Sequence, residues 1–407
     1  MATKKVVCEV LYSGQGMCNL IKVIDAADKV SHLILIDFGA TAGTSTVTQK
    51  TLPYLVKAVK AHGKIDVLIV SHTDEDHWSF IPSLLNDLGD KIKIDKVGVP
   101  IGDWTKKKAE LKELLKARVV SLSDFVEFEP AHSGIVNAPA LVNWWDKQGV
   151  HLNILCASTR RIDASNRASK ATIDTNTASV VVRCEFGKNN VVFCADATNF
   201  TLKYILKKMG DKKFLGKNLL CTVPHHGALK SLHGQLDTLT DFAEKIKARS
   251  ILASAEIHAS FKHPNAFVLS LMSAEIDPVA MAKEHNLVLY FTKKTPRVNA
   301  FYTELLKAAE FVDKNVLLPS YLTFNNTQNL FTTLLDRTTI YPRWLFTMNQ
   351  DDSTSVEWKS TSAALREPLS QAPPEELAFV VGDRLPPPAI PVTVHSPLLD
   401  PRYVTQD

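Results

Sequence analysis

Val67-Leu68-Ile69-Val70-Ser71-His72-Thr73-Asp74-Glu75-Asp76-His77 is the stretch on which the reading of this chain turns. Its first four residues are continuously apolar and lie between Asp66 and Ser71, the mark of a short strand buried on both faces. That strand delivers the chain directly into two histidines and three carboxylates. Strand ends and the loops after them are where α/β folds place their chemistry. Imidazole and carboxylate together suit zinc, manganese or iron. A short loop can turn His72 and Asp74 toward one cation and Asp76 and His77 toward a second, about 3.5–4 Å away, with Glu75 pointing elsewhere. The plainer alternative is a solvated acidic loop with incidental histidines, but such a loop seldom follows a fully apolar strand.

Working outward, residues 6–12, 20–24 and 32–37 read as strands, the first two separated by the turn Ser13-Gly14-Gln15-Gly16. Helical spacing covers 47–61 and 80–88, and 97–100 reads as the next strand. A polar loop, 158–178, separates strands at 152–155 and 179–186. Lys188-Asn189-Asn190 then turns the chain into 191–195, which ends on Asp196. Residues 219–223 run into His225-His226-Gly227, and strands at 251–255 and 287–291 close the pattern. This alternation, with antiparallel hairpins mixed in, predicts a mixed sheet layered by helices. Beyond 300 the character changes: 303–312 is a helix candidate, 343–348 with 355–359 a hairpin candidate, and from 366 the chain is Pro-rich and aperiodic. The expected organisation is a main domain over 1–297, an extension over 298–365 packed on it, and a tail or linker over 366–407 that offers a docking segment for a protein partner.

Composition narrows the classes. The 407 residues are 45% hydrophobic and 22% charged, as in ordinary globular proteins. A net charge of +4 permits a polyanionic substrate without demanding one. The six cysteines show no CxxC pair, which reads as buried thiols in a reducing compartment. With no apolar run near the roughly 20 residues a membrane helix needs, the expectation is a cytoplasmic protein with no membrane partner.

The motif at 72–77 has the form HxDxDH and resembles the HxHxDH motif of the metallo-β-lactamase superfamily, in the variant typical of the hydrolase domain of the DNA-uptake protein ComEC. The resemblance continues along most of residues 6–295. Gly14-Gln15-Gly16 resembles that branch's opening GQG turn. Leu35-Ile36-Asp37-Phe38-Gly39 resembles its LIDxG strand end, which implies that Asp37 supports the metal ligands. Asn176-Thr177-Ala178-Ser179 resembles an NxxS element, which implies supporting roles for Asn176 and Ser179. Cys194-Ala195-Asp196-Ala197 resembles TGDA, implying that Asp196 bridges two metals through its two oxygens. Val223-Pro224-His225-His226-Gly227 resembles VPHHGS, and Lys262-His263-Pro264 resembles a late GHP. The implied fold class is α/β, a four-layer αββα metallo-β-lactamase sandwich with a C-terminal extension. The implied metal ligands are His72, Asp74, Asp76, His77, Asp196, His225 and His226, holding two divalent ions, zinc or manganese, with magnesium also admitted.

Consecutive residues of an extended chain face opposite ways, so one of His225 and His226 is expected to reach the metals while the other orients the loop or touches substrate. His263 is open between a catalytic or metal role and that of a structural loop histidine. Three departures stand out. Asp74 replaces the superfamily's second histidine, shifting preference toward Mn²⁺ or Mg²⁺. Neither His132 nor His151 is a convincing equivalent of the histidine that many members place between the motif and Asp196, so one metal site is expected to be incompletely ligated or filled only with substrate. Trp78-Ser79 replaces Gly-Gly, and the indole is open between a stacking surface at the mouth and a core position.

The expected activity is metal-assisted hydrolysis, with a metal-activated water that Asp76 or Asp74 orients or deprotonates. Relatives with HxDxDH and PHHG are regarded mainly as nucleases or phosphodiesterases, so a phosphodiester substrate, a nucleic acid or nucleotide, leads. Arg160, Arg161, Arg167, Lys170 and Lys230 would hold phosphates, though solvated loop charges are the simpler reading of each. An esterase or lactonase of the same fold is the second reading. A weakly active metal-binding module docking through its C-terminal region is the third.

Overall fold

A computed structural model of the chain describes residues 2–41, 44–101, 104, 107–128, 142–159, 175–209, 217–232, 236–255, 268, 271–272, 286–289 and 343–359. Strands β1 (Thr3–Leu11), β2 (Cys18–Asp25), β3 (Val30–Phe38), β4 (Ile65–Ile69), β5 (Ile94–Pro100) and β6 (Phe125–Phe128) build one sheet. A second contains β7 (Val142–Lys147), β8 (Val150–Cys156), β9 (Val181–Phe186), β10 (Asn189–Phe193), β11 (Lys217–Thr222), β12 (Ser250–Ala253) and β13 (Asn286–Leu289). The chain then returns to the first with β14 (Arg343–Asn349) and β15 (Thr354–Lys359). The strand orders are β15-β14-β1-β2-β3-β4-β5-β6 and β13-β12-β11-β10-β9-β8-β7. Both sheets are mixed: β3 to β6 run parallel, as do β10 to β13, and the rest of each sheet is antiparallel.

The apolar run Val67–Val70 is buried at every position, because β4 is covered on both faces. Cys8 of β1 and Cys184 of β9 meet between the sheets, and one continuous core takes side chains from both. Helices Leu52–His62 and Ile81–Leu88 lie on the first sheet's side, burying Leu55, Val59, Leu84 and Leu85. Helices Asn199–Met209 and Leu236–Ile246 pack on each other, the former on β8, and bury Leu202, Ile205, Leu239 and Phe242. The result is the four-layer αββα sandwich, with parallel strand ends gathered at one edge. None of the described helices is long and apolar enough to cross a membrane, and all six cysteines are free and buried.

The hairpin at 343–359 is part of the sandwich. β14 pairs with β1 from Lys5↔Asn349 to Leu11↔Arg343 and buries Trp344, Leu345, Phe346 and Met348. Its turn also grips the second sheet: Asp352 accepts the Lys188 N–H at 2.9 Å, and its carbonyl accepts from Asn189 at 3.1 Å. Gly187, with φ +58°, makes room, since a Cβ there would lie 2.5 Å from Asp352. The helix candidate at 303–312, the rest of the extension and the tail at 366–407 lie outside the described residues.

At the end of β4 remote from His72, Asp66 accepts from His32 Nδ1 at 2.9 Å, His62 Nε2 at 2.7 Å and the Leu33 N–H at 2.8 Å. Burial pushes its pKa up, but these partners and Lys64 outweigh burial and hold it far below the usual carboxylate range. A depressed folded pKa gives stability that is full above the unfolded value near 3.9 and is lost as pH falls toward the folded value. Asp66→Asn is therefore expected to destabilise the protein by about 2–4 kcal/mol near neutrality. In urea unfolding, the gap to wild type should narrow below about pH 4; a gap constant across pH 3–7 would remove this role from Asp66.

Candidate metal centre

Glycine shapes the approach to the motif. A Cβ on Gly39 would lie 2.4 Å from the Trp78 nitrogen, and one on Gly16 2.7 Å from the Asp76 carbonyl oxygen. The helical turn Glu75–Trp78 is thus pressed onto the Gly14-Gln15-Gly16 turn and the end of β3, and the Met17 N–H donates to the Asp76 carbonyl at 3.0 Å. Asp74 enters the turn extended, and its carbonyl accepts the His77 N–H at 3.1 Å. His72, before the turn, and His77, within it, consequently meet with ring centroids 3.8 Å apart. Glu75 is exposed, as expected of the residue that points away.

Asp37, fully buried with φ 59°, orients His77. It accepts the Ser71 N–H and hydroxyl, each at 2.6 Å, and His77 Nδ1 lies 2.8 Å from its Oδ2. A carboxylate on Nδ1 sets the imidazole so that Nε2 is presented to the centre. Ser179 is buried and follows the 175–178 turn by donating its N–H to the Asn176 carbonyl; the next residue, Val180, donates to the Ser71 carbonyl at 2.8 Å. Val180, next after the turn that Asn176 and Ser179 close, thus ties the second sheet to the strand end that carries His72.

From the second sheet, β10 leads through Ala195 (φ 47°) to Asp196, which is 2% exposed. Each oxygen of Asp196 faces two histidines. Oδ1 lies 3.1 Å from His77 Nε2 and 3.3 Å from His226 Nε2. Oδ2 lies 3.3 Å from His225 Nε2 and 3.6 Å from His72 Nε2. Asp76 Oδ2 joins the first group, 3.2 Å from His226 Nε2, and Asp74 Oδ2 joins the second, 3.6 Å from His72 Nε2. Oδ1 of Asp196 thus belongs with Asp76, His77 and His226, while Oδ2 lies between His225 and His72, with Asp74 beyond His72.

His225 and His226 do not face opposite ways as an extended chain would have them. The PHHG turn is left-handed, not extended, with φ 45°, 50° and 81° at His225, His226 and Gly227. The alternation rule for strands lapses there, and both rings turn to Asp196. His225 shares Asp196 Oδ2 with His72. Positive φ on two successive non-glycine residues is costly; the His225 N–H bond to the Ala195 carbonyl and the bond from His226 Nδ1 to the Ser254 carbonyl hold the turn.

The electrostatics couple the four histidines to the carboxylates. Burial raises the pKa of Asp196, but His225, His226, His77 and His72 outweigh it and hold the carboxyl well below its usual range. Burial likewise opposes charge on His77, yet Asp196 and Asp37 drive its pKa well up. Asp76 sits at about 2, burial being overcome by His226 and His77. For His225 burial prevails, with the charges of His226 and His72, and its pKa is lowered. His72 supplies the test of fit for a metal. It is fully buried, and among the described residues neither ring nitrogen has a hydrogen-bond partner. Its Nε2 is 3.6 Å from two carboxylates, too long for hydrogen bonds and suited to a cation between them. Asp76, His77, Asp196 and His226 bring their donor atoms within 4.8 Å of one another, as one metal site requires.

Paired mixed sheets between helix layers, with the donor loops at the ends of β4, β10 and β11, decide the architecture. The fold is a four-layer αββα sandwich, the architecture that the resemblance to the metallo-β-lactamase superfamily implied.

No protein-family model matches the chain, and no curated protein matches it. Among solved structures, unliganded yeast PDE1 aligns at 11% identity over 75% of this chain and 93% of that one, with TM-score 0.40. A diphosphatase of the PhnP family aligns at 13% over 70% and 94%, TM-score 0.32. A CmlA beta-hydroxylase mutant aligns at 15% over 70% of this chain and 52% of that one, TM-score 0.34, so the chain spans about half its length. None of these likenesses is strong enough to assign a chemistry; the fold stands on strand order and packing.

Trp78 takes the core position. It is 6% exposed and its indole N–H donates to the Thr73 carbonyl at 3.0 Å, which braces the metal loop from behind. His263 and Arg160, Arg161, Arg167 and Lys170 lie outside the described residues, as does the side chain of Lys230. Three residues at the site were not anticipated. Ser71 contacts both Asp37 and His77 Nδ1. Ser254 accepts from His226 and donates to the Gly16 carbonyl at 2.7 Å. Lys108 stands 3.7 Å from Asp74 Oδ1.

Proposed function

We propose that the chain is a metal-dependent hydrolase with two divalent cations on either side of Asp196, acting on phosphodiesters. The observation that carries it is the division of the Asp196 oxygens between two histidine-containing donor sets. Bound there, the cations would supply an activated water nucleophile and neutralise charge on the reacting group. His77, His226 and Asp76 would hold one ion, and His72, Asp74 and His225 the other. Nitrogen donors on both sides suit zinc, and the carboxylates Asp74 and Asp76 extend the choice to manganese.

The protein's own part is positioning. Asp37 and Ser71 keep His77 in one orientation, and Ser254 does the same for His226, so neither ring needs to reorganise during reaction. Asp76 or Asp74 would orient the attacking water and take its proton; Asp74 is the more open, 44% exposed against 16%. The choice of phosphodiesters is supported by the HxDxDH and PHHG resemblance and by the suitability of a two-cation centre for spreading phosphoryl charge. A nucleic acid or nucleotide is the substrate class in view.

The test is hydrolysis of single- and double-stranded DNA, RNA and bis(p-nitrophenyl) phosphate with Mn²⁺, Mg²⁺ or Zn²⁺, before and after EDTA. Metal-dependent cleavage of at least one phosphodiester is expected, lost on chelation and restored by metal. Protein that binds metal yet leaves every phosphodiester intact while hydrolysing p-nitrophenyl acetate or a lactone would replace this reading with the esterase one.

A further inference from the structure

Lys108 belongs to the helix Lys107–Arg118, which follows β5 and brings a cation to the open side of the centre. The two oxygens of Asp74 divide between two neighbours: Oδ2 faces His72 Nε2 at 3.6 Å, inside the donor set, and Oδ1 faces Lys108 Nζ at 3.7 Å. That second distance is an ion pair without a hydrogen bond, so the ammonium keeps its donors for another acceptor. Among the described residues no other carboxylate lies within 4 Å of Nζ. Its side chain is 23% exposed, so the stem is largely covered and the charged end is held near Asp74. Two lysines further along the helix are committed elsewhere: Lys112 pairs with Glu127 at 2.7 Å and Lys116 with Glu113 at 2.8 Å.

Asp74 is the charge that balances Lys108, and a cation on Oδ2 would draw on that same charge. Asp74, Asp76, Asp196 and the buried Asp37 behind His77 together only balance two divalent ions, so the Lys108 ammonium is the charge that leaves the loaded centre positive. An anion is the complement such a site calls for. The geometry points to Lys108 as a specificity-determining residue that binds a non-bridging oxygen of an anionic phosphate ester, setting the preference for phosphodiesters over neutral esters. This rests on the hydrolase reading of the same centre and adds the substrate's charge as the selected property. A lysine acts here as a point charge, so arginine should substitute in part.

The experiment compares wild type with Lys108→Met and Lys108→Arg in the full chain. Affinity for inorganic phosphate is measured by calorimetry with Mn²⁺ present, alongside Mn²⁺ affinity without phosphate. KM and kcat are then read on bis(p-nitrophenyl) phosphate and p-nitrophenyl acetate. Lys108→Met should weaken phosphate binding and raise KM for the phosphodiester by about ten- to a hundredfold, the range for a lost hydrogen bond to a charged group. The kcat for the phosphodiester, the kinetics on any neutral ester and Mn²⁺ affinity should stay within about threefold, and Lys108→Arg should recover part of the loss. Unchanged phosphate affinity in Lys108→Met overturns the inference. So does a loss of Mn²⁺ affinity equal to the loss of phosphate affinity, which would make Lys108 a support for Asp74. A wild type that binds phosphate through Lys108 yet cleaves no phosphodiester would sink the hydrolase reading and leave the anion site standing.

Discussion

Asp196→Ala is expected to weaken divalent-metal binding at both sites together, by more than about a hundredfold, since even loss of an outer partner of a ligand reaches that range. Hydrolysis should fall on the order of a thousandfold or more, because both donor sets lose a member at once. The cause is geometric: one buried carboxylate faces His77 and His226 with one oxygen and His72 and His225 with the other. Asp196→Asn separates charge from shape. It keeps the volume and one oxygen, and should retain folding while losing most of the metal affinity. Removing Asp76 instead should weaken one of two binding events and spare the other, because Asp76 contacts only the His226 side among these histidines. Calorimetric titration with Mn²⁺ distinguishes the cases. Two tight binding events surviving in Asp196→Ala would show that the carboxylate is not shared.

Ending the chain at residue 342 is expected to abolish cooperative folding. The deletion removes β14 and β15 and with them the buried Trp344, Leu345, Phe346 and Met348. Each large-to-small loss in a core costs about 2–5 kcal/mol, against a total stability of about 5–15 kcal/mol. It also strips β1 of its partner along Lys5–Leu11 and leaves an apolar edge open to aggregation. Buried Glu9 would lose Arg343, which reaches it at 3.4 Å beside Lys22 at 2.7 Å. Because a deletion can fail for trivial reasons, Phe346→Ala in the full chain is the companion test, with an expected loss of about 3–5 kcal/mol. A truncated protein with an unchanged thermal transition would show that the hairpin is a dispensable attachment.

The metal loop was legible because its causes are local. An apolar run predicts a buried strand, and the donors follow it within six residues. Asp37 and Asp196 were reachable only through the resemblance, since each acts on the motif across the sheet or from the other sheet. The facing of His225 and His226 was misread for a definite reason: extended geometry was assumed, whereas Gly227, the residue type that tolerates φ 81°, was the signal of a left-handed turn. Ser71 precedes His72 directly, and a hydroxyl beside a ligand histidine is a partner worth expecting. Ser254 meets Gly16 across 238 residues, and no local pattern carries that. Lys108 lies in a run of lysines where nothing local marks the one turned toward Asp74. The hairpin at 343–359 could be read as a hairpin; its place beside β1 could not, because strand order is set by packing between distant segments. The helix Asn199–Met209 escaped notice because Lys203, Lys207 and Lys208 interrupt its apolar residues, although Leu202 and Ile205, one helical turn apart, are buried.

The most direct test of the account is anomalous diffraction at the manganese edge from crystals of the full chain soaked in Mn²⁺. Two peaks are expected, one beside Asp196 Oδ1 among His77, His226 and Asp76, the other beside Oδ2 among His72, His225 and Asp74. Crystals that take up manganese elsewhere, with no peak within bonding distance of Asp196, would contradict the reading of this cluster as a two-metal centre.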